Sequence, residues 1–192
     1  MKQKIKLSIG ITGASGALYG IRMLEVLKEL DVETHLIITS WGRKIIEYET
    51  DKTIKQVESL ASFVYNDAEL DSNPSSGSFK LDGMIIIPCS MNTIASISSG
   101  YSSTLLTRVA DVSIKEGRRL ILVPRETPLS VIHLNNMIEL AKIGVTILPA
   151  MPGFYTNPKS VNDIINHVVG KVLDQLNLKH DLFKPWMNSN KQ

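Results

Sequence analysis

A single cysteine, Cys89, stands among 192 residues. That excludes an internal disulfide and a cysteine-only metal site, and it fits a reducing cytoplasm. The four histidines, His35, His133, His167 and His180, show no metal-ligand spacing among themselves. Neither sign of charge dominates, with 21 basic and 19 acidic residues. The formal net charge is +2 and the basic residues are dispersed, whereas a phosphate backbone calls for a clustered positive face, so nucleic acid is not the main partner. No uncharged run reaches the length of a membrane span. Met1-Lys2-Gln3-Lys4 leads into an apolar run, Ile5–Ile11, that Lys6 and Ser8 interrupt, and no small-residue cleavage pattern follows. The expectation is a cytoplasmic protein without a membrane partner. What is present, 43% hydrophobic and 21% charged residues, suffices for one sizeable core.

Short β-rich runs alternate with helical patterns almost from end to end. Strands are expected at Ile5–Thr12, Val32–Thr39, Phe63-Val64-Tyr65, Met84–Pro88, Leu120–Val123 and Val145–Leu148. Helices are expected at Ala17–Leu30, from the second strand to about Glu49, at Thr53–Leu60, from about Ile94, and at Leu105–Glu116, Val131–Ile143 and Val161–Leu176. Each parallel crossover must return along the sheet. The pattern therefore predicts an α/β fold, a Rossmann-like three-layer αβα sandwich with a mostly parallel sheet. Asp71–Ser78 is the one long polar loop, and its composition favours plain surface over a lid.

Two turns carry the strongest chemical signal. Gly10-Ile11-Thr12-Gly13-Ala14-Ser15-Gly16 joins the first strand to the first helix, where unpaired N–H groups favour a phosphate. Its glycine spacing matches neither the dinucleotide fingerprint nor a P-loop. The second strand ends in Thr39-Ser40 rather than in a ribose-binding acid, which suits a phosphate or a flavin edge. Pro88-Cys89-Ser90-Met91-Asn92-Thr93 ends the most apolar strand in a hydroxyl-rich turn, with Ser90 either a simple N-cap or a ligand donor. Arg125-Glu126 follows the fifth strand and adds charge to the same edge. Cys89 has no histidine nearby in sequence and suits packing better than nucleophilic attack. Met151–Pro158 is a rigid aromatic segment, either a plain loop with a hydrophobic plug or an apolar wall with one phenol pointing into a pocket, and Lys171 taken alone is solvated surface.

Together these residues resemble the UbiX family of flavin prenyltransferases. The matching motifs are Gly-Ile-Thr-Gly-Ala-Ser-Gly at 10–16, Glu-Thr-His-Leu at 33–36, Ser-Ser-Gly-Ser-Phe at 75–79 and Pro-Cys-Ser-Met at 88–91. Leu-Leu-Thr-Arg at 105–108, Ala-Asp-Val at 110–112, Arg-Glu-Thr-Pro-Leu at 125–129, Pro-Gly-Phe-Tyr at 152–155 and Leu-Asp-Gln at 173–175 complete them. The resemblance implies one flavoprotein domain over 1–180, with a C-terminal tail over 181–192. It implies transfer of a dimethylallyl group from dimethylallyl phosphate to N5 and C6 of reduced FMN, without a metal. The product would serve a UbiD-type decarboxylase, and the protein would be a homo-oligomer, commonly a dodecamer. FMN would contact Gly13, Ala14, Ser15, Thr39, Ser90, Met91, Asn92, Thr93 and Arg125. The prenyl phosphate would meet Tyr155 and Lys171, with Arg108 and Lys115 nearby. Ser15, Glu49, Glu126 and Trp186 would stand near the chemistry. The chain departs from the family pattern at Asn92, where lysine is common, at Thr39 for serine, at Gly117 within a normally more basic stretch, and at Lys171 for arginine.

Physical chemistry agrees with that resemblance. Phosphate leaves readily only when its developing charge is neutralised, and lysine, arginine and phenol donors do this without magnesium. An allylic cation survives only where water is excluded, as beside Phe154, Tyr155 or Trp186. Two other readings stand beside it: a non-catalytic FMN-binding regulator, and a flavin-dependent decarboxylase of cysteine-type carboxylates. The second depends on a histidine in an early helix, and Met23 to Lys28 and Arg43 to Tyr48 contain none. Direct decarboxylation of aromatic acids lacks a group suited to protonating a ring carbon.

Overall fold

The computed structural model describes residues 4–186, in two compact units, Met1–Pro149 and Ala150–Gln192. The first unit contains β1 (Lys6–Ile11), α1 (Ala17–Glu29), β2 (Glu33–Ile38), α2 (Ser40–Glu49), α3 (Ile54–Glu58) and β3 (Phe63–Asn66). It continues through a 3₁₀ turn at Asn73–Ser75, β4 (Gly83–Cys89), α4 (Met91–Ser98), α5 (Leu105–Lys115), β5 (Arg119–Pro124), α6 (Val131–Lys142) and β6 (Thr146–Ile147). The six strands form one sheet in the order β3-β2-β1-β4-β5-β6, with every pairing parallel. The chain winds outward from β1 in one direction and from β4 in the other, which sends the right-handed crossovers to opposite faces. One face gathers Met84, Ile86 and Cys89 of β4 with Ile94, Leu106, Val109 and Leu140 from α4, α5 and α6. On the other face α1 lies so close to β4 that a methyl group at Gly20 would meet the Ile87 carbonyl oxygen at 2.5 Å.

The winding reverses between β1 and β4, and the carboxyl ends of these two central strands flank that switch point. Open parallel sheets leave a crevice there. Pro88 has no N–H to give the ladder, and the β4–β5 register breaks between Ile86 and Cys89. Its carbonyl is taken instead by Thr12, whose N–H donates to it at 3.2 Å and whose hydroxyl donates at 2.9 Å. The same hydroxyl oxygen accepts from the Ser90 N–H at 2.8 Å. One buried side chain thus joins the two turns.

Most expected elements fall within two residues of their observed ends. The exception is α4, which begins at Met91 rather than near Ile94, because Ser90 caps it by accepting from the Thr93 N–H at 3.2 Å. The polar loop 71–78 is tied down: Pro74 is buried, Arg108 Nε donates to the Ser75 carbonyl at 3.3 Å, and an Arg118 guanidinium nitrogen donates to that of Gly77 at 2.6 Å.

In the second unit, α7 (Val161–Gln175) starts at a capping box formed by Ser160 and Asp163. Gly170 leaves room for the tail residue Phe183, whose ring would lie 2.6 Å from an added methyl group.

His35 in β2 is 2% exposed. Its Nε2 lies 3.0 Å from the Glu33 carboxylate and its Nδ1 3.0 Å from the Tyr65 hydroxyl. A carboxylate only accepts, so Nε2 carries the proton and Nδ1 accepts from Tyr65. Burial lowers the imidazole pKa by more than the Glu33 contact raises it.

Two stability predictions follow from these contacts. Thr12→Val removes one donor and one acceptor and is expected to destabilise by about 1–3 kcal/mol, with Thr12→Ser recovering most of it in chemical denaturation; a Val variant as stable as the parent contradicts the bridging role. For His35 the folded form holds its proton less tightly than the unfolded chain. Its stabilisation is therefore present above the unfolded value, near ~6.5, and lost as pH falls through the lowered folded value. His35→Gln should flatten the acid-side loss of stability, and an unchanged slope would remove His35 from it.

Candidate functional site

The edge formed by the carboxyl ends of β1, β2, β4 and β5 collects most of the expected flavin residues. Gly16 has φ +108°, in the left-handed region that glycine adopts without strain. That turns the chain sharply into α1. A side chain at Gly13 would run into Trp41 of α2, 2.5 Å away, so the turn 13–16 lies against the start of that helix. Among the described residues, no hydrogen bond engages the backbone N–H groups of Gly13, Ala14 or Ser15. The next two N–H groups, of Gly16 and Ala17, are already used: both donate to the Glu49 carboxylate, at 2.8 and 2.9 Å. A side chain from the end of α2 therefore occupies the anion position expected for a phosphate at the first turn of α1.

Thr39 caps α2, its hydroxyl accepting from the Gly42 N–H at 3.0 Å. Gly42 in turn lets this cap approach β1, since a methyl group there would stand 2.4 Å from the Ile11 carbonyl oxygen. Across the switch point, Ser90 and Thr93 hold each other hydroxyl to hydroxyl at 3.0 Å. Thr93 and Met91 are buried, whereas Asn92 is exposed. Arg125 leaves β5 with its N–H donating to the Cys89 carbonyl at 3.4 Å, and its side chain is exposed. Its charge reaches Tyr19 in the first turn of α1: burial raises the phenol's pKa and the guanidinium counters part of that rise. Glu126, also exposed, accepts from the Thr127 N–H at 3.0 Å. The sheet thus assembles Gly13, Ala14, Ser15, Thr39, Ser90, Met91, Asn92, Thr93, Arg125 and Glu126 along one edge, with Glu49 behind the first turn.

Cys89 is fully buried, and burial pushes its thiol well above the ordinary range, so it packs rather than attacks. Among the described residues no group of three or more His, Cys, Asp or Glu side chains could hold a metal ion.

Of the expected prenyl-phosphate residues, Arg108 and Lys115 belong to the first unit and Tyr155 and Lys171 to the second. Arg108, in α5, pairs with Asp111 at 2.8 Å. Lys115 pairs with Glu116 at the end of the same helix, just before Arg119 pairs with Gly83 at the start of β4. Lys115 is therefore at the amino edge of the sheet, the seven residues of β4 away from the Ser90 turn, a span of roughly 20 Å. In the second unit, Tyr155 is half-exposed and its hydroxyl meets His167 Nε2 at 3.1 Å. Trp186, largely exposed, meets the Tyr155 ring edge-on at 5.5 Å. Lys171 pairs with Asp174 at 2.8 Å, and His180 meets the same carboxylate at 3.2 Å. Burial raises the Asp174 carboxyl pKa, but the bonds from Lys171 and His180 outweigh it and leave it low.

Sequence reasoning missed three residues at the sheet edge: Thr12, Tyr19 and Trp41. Thr12 had a usable signal, a hydroxyl residue directly between a buried strand and a glycine turn. Tyr19 and Trp41 carried none, since their places depend on how α1 and α2 dock.

The fit to a flavin phosphate and isoalloxazine edge rests on the unengaged N–H groups at 13–15 and the hydroxyl-rich turn opposite them. The Flavoprotein family model matches residues 1–173 of the chain. A probable UbiX-like flavin prenyltransferase of Escherichia coli O157:H7 is 50% identical over 183 residues, covering 95% of this chain and 93% of its own length. Among solved structures, a dodecameric FMN-dependent UbiX-like decarboxylase from Escherichia coli O157:H7 matches with a TM-score of 0.95 at 50% identity, over 96% of this chain and 100% of that one. AnUbiX (PadA1), in complex with FMN and dimethylallyl pyrophosphate, matches with a TM-score of 0.96 at 45% identity, over 97% of this chain and 99% of that one. The chain belongs to the Flavoprotein family and, within it, to the UbiX-like flavin prenyltransferases.

Proposed function

We propose that this protein transfers a dimethylallyl group from dimethylallyl phosphate to N5 and C6 of reduced FMN. The observation that carries the reading is the paired turns at the β1/β4 switch point, joined through Thr12, in a chain half identical to a flavin prenyltransferase. FMN supplies the nucleophilic positions; the chain supplies orientation and charge. Gly13, Ala14 and Ser15 offer backbone N–H groups, Ser90, Asn92 and Thr93 polar side chains, and Arg125 a positive charge. Thr39, at its cap, and the buried Met91 complete the flavin contacts. Glu49 keeps the first turn in place through its two bonds to α1. Ser15 and Glu126 border the reacting edge, where a carboxylate moves a proton during ring closure.

The donor's bridging oxygen leaves with the phosphate, whose charge Lys171, Arg108, Lys115 and the Tyr155 hydroxyl neutralise. Tyr155 and Trp186 present aromatic faces to the allylic group. Lys115 stands at the amino edge of its own sheet, so it reaches a donor phosphate beside the flavin turns only from another copy. We propose a homo-oligomer for that reason, a dodecamer like the Escherichia coli relative. Exposed Val131, Ile132 and Ile138 give α6 an apolar outer surface suited to such contacts. A UbiD-type decarboxylase is the proposed recipient of the product. Among the described residues no helix is long and apolar enough to cross a membrane, and we place the reaction in the cytoplasm.

The test is anaerobic incubation with reduced FMN and dimethylallyl phosphate, the pyrophosphate in a parallel arm, followed by mass spectrometry. A flavin heavier by one five-carbon unit supports the transferase; unchanged FMN in both arms supports a regulator instead. Lys171→Ala removes a charge-assisted bond worth about 1.5–3 kcal/mol. It is expected to lower kcat/KM for the donor at least about tenfold with FMN affinity unchanged, and equal turnover would remove Lys171 from the mechanism.

A further inference from the structure

We propose that His167 is a positioning residue that holds the Tyr155 phenol as a hydrogen-bond acceptor, so that the phenol's own proton is free for the donor's phosphate. The inference rests on the reading above, in which Tyr155 meets that phosphate.

The geometry assigns the protons. The Gly153 N–H lies 3.2 Å from His167 Nδ1. A backbone amide nitrogen can only donate, so Nδ1 carries no proton. A neutral imidazole with a bare Nδ1 has its proton on Nε2, and Nε2 is the atom 3.1 Å from the Tyr155 oxygen. The phenol oxygen is thereby occupied as an acceptor, and the Tyr155 O–H cannot point back at the ring. Were the tautomer reversed, the phenol would spend its proton on the imidazole and offer an incoming phosphate only lone pairs.

The surroundings fix this arrangement. His167 is 6% exposed. The Tyr155 ring meets it edge-on at 5.4 Å, and the Phe183 ring lies 4.8 Å away. Gly153 has no side chain because the Tyr155 ring folds back over it, 2.8 Å from where a methyl group would stand. The segment 153–155 is therefore clasped at both ends by one imidazole on α7. Lys171 follows one helical turn after His167 and projects from the same side of α7. Burial, then the Lys171 charge, lowers the pKa of His167, and Asp174 opposes them. The ring stays neutral, as a bare Nδ1 requires.

A merely structural histidine would affect folding and turnover regardless of the phenol. Positioning instead links the two side chains. The experiment compares wild type, His167→Phe, His167→Gln, Tyr155→Phe and the double variant Tyr155→Phe/His167→Phe in prenyl transfer from dimethylallyl phosphate at pH 7.5. His167→Phe is expected to raise the donor KM about tenfold, as the loss of one aimed hydrogen bond to an anion would, with FMN affinity unchanged. His167→Gln keeps an N–H near the Nε2 position and should restore the donor KM to within about threefold of wild type. The double variant should be no worse than Tyr155→Phe alone. Additive losses, or a His167→Phe enzyme equal to wild type, would overturn the proposal.

A second readout needs no turnover: nitrogen-15 spectroscopy of histidine-labelled protein, with His167→Gln assigning the signal. A protonated Nε2 and bare Nδ1, with the Nε2 signal shifted by Tyr155→Phe, are expected. A ring protonated at Nδ1 sinks the inference whether or not prenyl transfer is observed. Absent transfer by wild type with the expected tautomer would instead count against the donor reading.

Discussion

One hydroxyl group organises the functional edge of this protein. Thr12 gives its proton to the carbonyl of Pro88 and takes one from the Ser90 N–H, tying the end of β1 to the end of β4 where the sheet's winding reverses. The bridge sits beside Pro88, which has no N–H to give and interrupts the ladder to β5, and the Thr12 N–H and hydroxyl both satisfy its buried carbonyl. With the two turns locked together, the capped start of α4 and the open N–H groups of Gly13–Ser15 lie at the carboxyl ends of adjacent strands, where open parallel sheets bind ligands. The neighbouring parts then follow from short distances. Gly42 lets the Thr39 cap approach Ile11, and Glu49 closes the first turn of α1 from behind.

The two sets of expected binding residues are built differently. The flavin residues depend on backbone geometry at strand ends, with small side chains that leave the main chain accessible. The donor residues are charged or aromatic side chains already held by partners: Lys171 by Asp174, Arg108 by Asp111, Tyr155 by His167. Lys171 and Arg108 each already hold a carboxylate, whereas Tyr155 is held through its oxygen by His167. Their positions are thus fixed in advance, which limits the ordering cost of binding. Lys115 lies at the amino edge of its own sheet, paired with Glu116.

Much of this was legible in the sequence, for a physical reason. Buried parallel strands such as Ile85-Ile86-Ile87 are nearly continuous apolar runs, and helices such as α1 repeat Ile21, Leu24 and Leu27 on a helical period, so local pattern and tertiary burial agree there, although Leu18 on the same period is exposed. The start of α4 reads late in the sequence because Met91, Asn92 and Thr93 look like turn residues, although an N-cap at Ser90, one of the two readings of that residue, starts the helix at Met91. Glu49 was assigned to the site through family resemblance, but its bonds to Gly16 and Ala17 join residues more than thirty positions apart. No local pattern encodes them. The same holds for His167, which sequence spacing marked only as a histidine without a metal partner.

The most direct test of the account is a crystal structure of the protein with FMN. The flavin is expected between the Gly13–Ser15 and Ser90–Thr93 turns, with Arg125 beside it and the Thr12 bridge intact. A flavin bound away from the carboxyl edge of the sheet, or a Thr12 hydroxyl that no longer joins the two turns, would contradict it.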